Sequence, residues 1–266
     1  MCGSNERQLC LRAALDDIID GGAVEYHESV SSTQLRAHEL AREGVKKAVV
    51  AANEQTAARG RATRRWEAPK GGGIYISILY RPTLSSAHLM NAAAALSAAE
   101  DIKSSLGVET RLKWPNDLLI EKKREGRELK VCGILSESAT RNGALDYCVT
   151  GIGINLYEPP SLPPDVAERA GWLCHEGKAD EMKLLIRVVK NFFAWLHVME
   201  REGATRVLGA YRRKCASIGR AVRVETDEEV LTGHCSGIGD DGELILETPG
   251  GTRCFHVGDV THAKLG

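Results

Sequence analysis

The stretch EQTAARGRATRRW, residues 54–66, sets four arginines and a tryptophan between two strand-like runs, KAVVAA (47–52) and GGIYISILYRP (72–82). In the second run Ile74, Ile76 and Ile78 alternate with Tyr75, Ser77 and Leu79, with Gly72 and Pro82 at its ends. A solvated basic loop is one reading of the segment between them. Three features favour a ligand loop instead: arginine stands where lysine would serve solubility, Gly60 lets the backbone approach a ligand, and Trp66 offers a π face. Arginine forks suit phosphate or carboxylate oxygens. The chain as a whole carries 35 basic and 36 acidic residues, a net charge of -1, over 266 residues. No global field favours a long polyanion or an anionic membrane, so a small phosphorylated ligand fits the loop better than nucleic acid.

Outward from this loop, helices and strands mix without a strict βαβ repeat. LCLRAALDDIIDGG (9–22) has helical spacing and a glycine stop. In SVSSTQLRAHELAREG (29–44), Ser31 or Ser32 can cap a short helix, with Gln34 completing a capping box and Leu35 and Leu40 on the apolar side. SAHLMNAAAALSAAEDIKSSLG (86–107) predicts an alanine-rich helix, followed by strands near TRLKWP, VCGILSES and DYCVTGIGINLY. The segment 162–203 reads as mostly helical, with Leu184, Leu185, Val188, Val189, Phe192 and Phe193 on one face. From Ser217 the texture changes to short strands broken by turn signals, which predicts a small β-barrel. We therefore expect two domains, residues 1–216 and 217–266.

Eight scattered cysteines without a C-x-x-C pair, and no secretory signal or apolar run near 20 residues, point to a reduced, cytoplasmic, non-membrane protein without structural zinc. Two further islands carry polar groups. In KWPNDL, Pro115 presents Asn116 and Asp117, which can hold a divalent ion or a nucleotide hydroxyl, or form an ordinary turn. Lys130, ahead of an apolar strand, fits a cleft edge or a plain surface position. GIGIN (151–155) by itself reads as a buried strand with close backbone packing, lacking a dinucleotide fingerprint.

Together and in this order, EQTAARGRATRRW, KWPNDL, K-x-x-GIL-x-E (Lys130 to Glu137) and GIGIN closely resemble the biotin protein ligases, in the form without an amino-terminal DNA-binding domain. The likeness runs over nearly the whole chain beyond residue 25. It implies an α+β fold: a mixed sheet with helices, of the type shared with class II aminoacyl-tRNA synthetases, plus a carboxy-terminal SH3-like barrel. The implied activity is ATP-dependent formation of biotinyl-5'-AMP and transfer of biotin to a lysine of a biotin carboxyl carrier protein.

Residue by residue, the resemblance assigns Ser32, Thr33 and Gln55 to the ureido end of biotin. It gives Arg59, Gly60 and Arg61 to a loop closing over biotin and its adenylate, and Arg64 to the ATP phosphates. Trp66 is similar to the tryptophan between biotin and adenine, and Gly133 belongs to the biotin site. Asn116 and Asp117 resemble the nucleotide side, with Asp117 toward magnesium. Lys130 is similar to the lysine at the biotin carboxylate and α-phosphate, and Asn155 to an adenine contact. Lys130, Arg61 and Asp117 are the implied catalytic groups. The family usually has glycine at the positions of Ala58 and Thr63 and asparagine at that of Gln34. Implied substrates and cofactors are biotin, ATP and Mg2+; the implied partner is a carrier protein, with no DNA and no membrane, and a homodimer is compatible with the family. A lipoate-protein ligase would show a glycine-serine-rich loop in place of the Arg-Trp loop. A biotin-responsive DNA-binding repressor would need a winged helix, for which the 25 or so residues before the first patterned core segment are too few.

Overall fold

A computed structural model describes residues 3–61, 64–81, 89–122, 126–174 and 179–262. The amino-terminal part runs α1 (Ser4–Ile19), β1 (Ala23–His27), α2 (Thr33–Arg42), β2 (Ala48–Ala52), β3 (Gly73–Tyr80), α3 (Leu89–Leu106), β4 (Arg111–Lys113), β5 (Asp117–Lys122), β6 (Arg127–Arg141) and β7 (Ala144–Asn155). It continues through α4 (Pro164–Ala167), α5 (Glu181–Glu202) and α6 (Ala204–Lys214) into β8 (Ala221–Glu225), β9 (Val230–Ile238), β10 (Leu244–Thr248), β11 (Gly251–Phe255) and β12 (Asp259–His262).

The first seven strands form a mixed sheet in the order β1-β2-β3-β7-β6-β5-β4, in which β1 and β2 are parallel and the other pairs antiparallel. The alternation read in residues 72–82 divides the layers. Ile74, Ile76 and Ile78 pack with Val49, Ala51, Ile152 and Ile154 against α3 and the other long helices. On the opposite face Leu79, Ala48, Val50 and Val149 pack under Ala37, Leu40 and Ala41 of α2. Both faces of β3 are thus buried, which explains a run with little polar character. Asn142 and Gly143, at φ 54° and 79°, make the two-residue hairpin from β6 to β7. An Asn-Gly pair adopts these positive angles readily, and the hairpin sets the approximate pairing of the two strands.

Helix ends follow their side chains. Asp20, at φ 46°, caps α1 just ahead of the glycines. Ser32 caps α2 by accepting from the Leu35 N–H at 3.4 Å. Gln34 forms no capping box; it is buried and directed at the sheet, and Leu35 is 37% exposed, so the apolar side of α2 is Ala37, Leu40 and Ala41. The long helical reading of 162–203 holds only for its second half: α5 begins at Glu181 with Asp180 as cap, and the described part of 162–180 has one short helix, α4. Consecutive prolines Pro163 and Pro164 start that turn, and Gly171 falls in an extended segment pairing with β6. Of the predicted apolar face, Phe192 is 1% exposed and buries its ring fully, which stabilises by about 1.5–3 kcal/mol; Phe193 packs at the edge.

Strands β8 to β12 form a separate antiparallel sheet, ordered β11-β10-β9-β8-β12. It does not hang free. Val222, Val224, Cys235, Ile238 and Leu244 belong to the same apolar cluster as the helices of the first layer. Trp114 donates its indole N–H to the Gly242 carbonyl at 2.9 Å, and the Glu128 carboxylate lies 2.7 Å from both Nδ1 of His262 and Nη1 of Arg220.

Candidate active site

A cleft of about 1300 Å³ opens over the α2 side of the large sheet and reaches the edge of the small one. Every residue that the sequence nominates lines it: Ser32, Thr33, Gln55, Arg59, Gly60, Arg61, Arg64, Trp66, Asn116, Asp117, Lys130, Gly133 and Asn155. The strand pairing explains how residues so far apart in sequence meet.

One row of paired positions crosses five strands: Tyr75 opposite Gly153, Gly153 opposite Gly133, Gly133 opposite Asp117, and Asp117 opposite Lys113. Paired residues point to the same face, with strands about 4.8 Å apart, so the row forms the floor of the cleft. Its centre is two opposed glycines, and Trp66 lies on them. A Cβ on Gly133 would stand 2.6 Å from Cζ3 of Trp66, and one on Gly153 2.7 Å from Cε2. The glycines of GIGIN therefore leave room for side chains from elsewhere: Gly153 for Trp66, and Gly151 for Gln34, whose Oε1 would be 2.7 Å from an added Cβ.

At the Gly151 level the cleft holds a neutral polar cluster. The Thr33 N–H and hydroxyl donate to Oε1 of Gln55 at 2.8 and 3.0 Å, the Thr33 hydroxyl lies 2.8 Å from that of Ser77, and Ser77 donates to Oε1 of Gln34 at 3.0 Å. Gln34 in turn donates to the Val149 carbonyl at 3.0 Å, so glutamine fills its position with satisfied hydrogen bonds. Ser32 adds a buried hydroxyl beside them.

Toward β5 the cleft carries charged groups of both signs. Strict alternation along β6 would send Lys130 to the face opposite Gly133. A bulge prevents this: pairing steps from Leu118 opposite Cys132 to Leu119 opposite Lys130, leaving Val131 as an extra, fully buried residue. Lys130 and Gly133 thereby share the cleft face. The Lys130 backbone pairs with the chain at 169–171, and its carbonyl accepts from the Asn155 amide at 3.4 Å. Its ammonium sits 2.5 Å from Asp117 and 5.2 Å from the centre of the Trp66 ring. Asn116 donates to the Ile134 carbonyl at 2.7 Å, which fixes the turn before Asp117.

The arginine loop is a small hairpin. The Gly60 N–H donates to the Arg64 carbonyl at 2.7 Å and the Trp66 N–H to that of Ala58 at 3.1 Å; Ala62 and Thr63 lie outside the described residues. Ala58, where glycine is usual in the resembled family, is buried with Ala68 and Tyr75. Like-charge repulsion within ARGRATRRW is offset from outside: Arg59 pairs with Glu137 at 3.6 Å, Arg65 with Glu67 at 3.3 Å, and Arg61 and Arg64 both with Asp259 of β12.

Sequence reading missed Ser77, Lys113 and Asp259, and gave Glu137, the last residue of the K-x-x-GIL-x-E motif, no role. The parity of β3 could have found Ser77. Lys113 becomes visible only through its pairing with Asp117; burial holds its ammonium below the usual lysine range, against the pull of Asp117. No local signal links Asp259 to a loop nearly two hundred residues earlier.

The described residues contain no cluster of three or more metal-ligating side chains. A magnesium ion that takes one carboxylate and completes its shell with phosphates and water needs no such cluster, and Asp117 fits that single share. Among the described residues, Nε1 of Trp66 and Nε of Arg61 are buried donors at the cleft without hydrogen-bond partners.

Comparison with known proteins shows the family. Residues 26–155 match the biotin/lipoate A/B protein ligase family and residues 217–262 the biotin protein ligase C terminal domain. The chain belongs to the biotin protein ligase family. It is 30% identical over 256 residues to the bifunctional ligase/repressor BirA of Bacillus subtilis, spanning 94% of this chain and 77% of that protein. Similarity to the biotin--[acetyl-CoA-carboxylase] ligase of Paracoccus denitrificans is 30% over 224 residues, or 79% and 88% of the two chains. The fold superposes on a biotin protein ligase from Aquifex aeolicus with a TM-score of 0.77, at 24% identity, over 91% of this chain and 98% of that one. Both sheets are thus parts of a known ligase architecture.

Proposed function

We propose that this enzyme activates biotin with ATP to give biotinyl-5'-AMP and then biotinylates a lysine of a carboxyl carrier protein or domain. The observation that carries the reading is Trp66 on the Gly133–Gly153 pair, with the neutral polar cluster toward Gly151 and the Lys130–Asp117 pair at its other side. An uncharged head group with several hydrogen-bonding atoms suits the first region, and anions suit the second. The indole is a wall against which a ring system on either side can stack.

In the first step a carboxylate oxygen of biotin attacks the α-phosphorus, the bond to the β-phosphate oxygen breaks, and pyrophosphate leaves. Two anions must approach each other, so fixed cations in a site sheltered from water carry much of the barrier reduction. We assign Lys130 to the carboxylate and α-phosphate and Arg61 and Arg64 to the adenylate and phosphates. Thr33, Gln55 and Ser32 take the ureido end, with Asn116, Asp117 and Asn155 at the nucleotide. Magnesium, held through Asp117, would neutralise phosphate charge. In the second step the carrier amine attacks the acyl carbon, an amide forms, the amine loses a proton and AMP departs with the bonding electron pair. Folding of the described loop residues, 58–61 and 64–66, over the anhydride keeps water from hydrolysing it.

Residues 1–216 would then hold the adenylation chemistry and residues 217–266 the outer wall and carrier side. No described helix is long and apolar enough to cross a membrane, and the described cysteines are all unpaired, which supports a reducing compartment such as the cytoplasm. The test is incubation with biotin, magnesium ATP and a biotinyl-carrier domain, followed by intact mass of the carrier. Biotin addition is expected; no mass increase with biotin, together with modification in a parallel incubation with lipoate, would overturn the assignment.

A further inference from the structure

Asp259 opens β12 in the small sheet, on the border of the cleft. Its carboxylate ion-pairs with both Arg61 and Arg64, across the junction of the two sheets. Burial resists ionisation of Asp259, yet the hydrogen bond from Arg61 and the charges of both arginines outweigh it and hold the carboxyl below its ordinary range. The other loop arginines use carboxylates of their own part of the chain, Glu137 and Glu67. Only the two given above to the adenylate and phosphates are held by the second sheet.

The arrangement is under-compensated. Two guanidinium groups share one carboxylate, each reaching it through a single Nη2, and that carboxylate offers about four lone-pair sites and a single negative charge. Nε of Arg61 is buried and has no hydrogen-bond partner among the described residues. A polyphosphate has more oxygens and more charge than Asp259, and its shape suits arginine forks at least as well.

We propose that Asp259 is a positioning residue that occupies the anion seat of Arg61 and Arg64 in the ligand-free protein and gives them up to the polyphosphate of the nucleotide, or to pyrophosphate. This rests on the phosphate role given to these arginines under the proposed function. The carboxylate then has two effects: it keeps the arginine hairpin folded against the small sheet before substrate arrives, and it competes with phosphate for the same donors. Anion affinity is set below its maximum, which also eases departure of pyrophosphate after adenylation.

Binding of inorganic pyrophosphate, measured by calorimetry on the full chain, reads this seat without passing through biotin chemistry. Failure here is therefore distinct from failure of the biotinylation test. Asp259→Asn, nearly isosteric and uncharged, is expected to bind pyrophosphate about fivefold more tightly because a competing charge is gone, while Asp259→Glu stays close to the parent. A purely structural role would weaken binding or leave it unchanged. Ligand-free Asp259→Asn is also expected to be cut by trypsin between Arg59 and Arg65 several times faster than the parent, with pyrophosphate suppressing the cut. Asp259→Ser gives the same signs if the asparagine variant does not fold. Equal or weaker pyrophosphate binding in a folded, uncharged variant would overturn the exchange.

Discussion

The ammonium of Lys130 lies 2.5 Å from the carboxylate of Asp117, one carried by β6 and the other by the start of β5. Without substrate each neutralises the other; with substrate, each has an ion of opposite sign to meet. The pair keeps a cation in place in a partly dry cleft without leaving it uncompensated.

Removal of either partner is expected to cost about 3 kcal/mol of transition-state stabilisation, roughly a hundredfold in rate. Single-turnover formation of biotinyl-AMP by Asp117→Ala and Lys130→Ala measures this. Rates equal to the parent in both variants would remove these residues from the chemistry.

Gly153→Ala tests the seat of Trp66. The backbone there accepts any residue, so the new methyl acts through its contact, 2.7 Å from Cε2 of the indole. Overpacking of this kind costs about 1–3 kcal/mol. Thermal unfolding should show the loss, and the same substitution in a Trp66→Ala background should show little of it. An equal cost in both backgrounds would mean that something other than the indole is displaced.

Arg61→Gly removes one side of the hairpin clasp. With about 2 kcal/mol lost from the closed form, biotinyl-AMP should escape some thirtyfold faster. Released anhydride acylates whatever amine it meets, so an unrelated protein added to the reaction should become biotinylated. A variant that retains its adenylate as long as the parent does would contradict the clasp.

Glu128 joins β6 to the small sheet through His262 and Arg220. The hydrogen bond from His262, helped by Arg220 and opposed by burial, brings its pKa from 4.5 to about 2. A depressed folded-state value means stabilisation present above the unfolded value and lost as pH falls between 4.5 and about 2. Glu128→Gln should therefore be less stable at neutral pH, on the order of 3 kcal/mol, and the difference should shrink through that acid window. Denaturant titrations at several pH values check this; a difference that persists unchanged at the acid end would place the effect in packing.

The parts legible in sequence were those whose meaning is local. Alternation in residues 72–82 defines β3 and its faces, and residue chemistry in 54–66 marks a loop for anions. Order of motifs then identifies the family. The role of the glycines in GIGIN was not legible, because Trp66 and Gln34 reach them from eighty-odd and more than a hundred positions away. Asp259 was hidden for the same reason, its partners being set by how two sheets meet. In the described part of 162–180 the helical reading holds only for α4, because paired prolines and a glycine sit in a segment held by β6.

Val131 bears on how this active site can change. Its side chain touches no proposed substrate group, being buried on the far side of the sheet. Its place as one surplus residue, left out of the regular pairing, nevertheless decides which surface Lys130 serves. Flattening this bulge into regular alternation, with no residue lost, would turn the ammonium toward the hydrocarbon interior, while every residue assigned to the reaction remained in the chain. Substituting it by isoleucine or leucine would preserve that count. In this stretch the register of pairing, rather than the chemistry of the surplus residue, decides what the ammonium can reach.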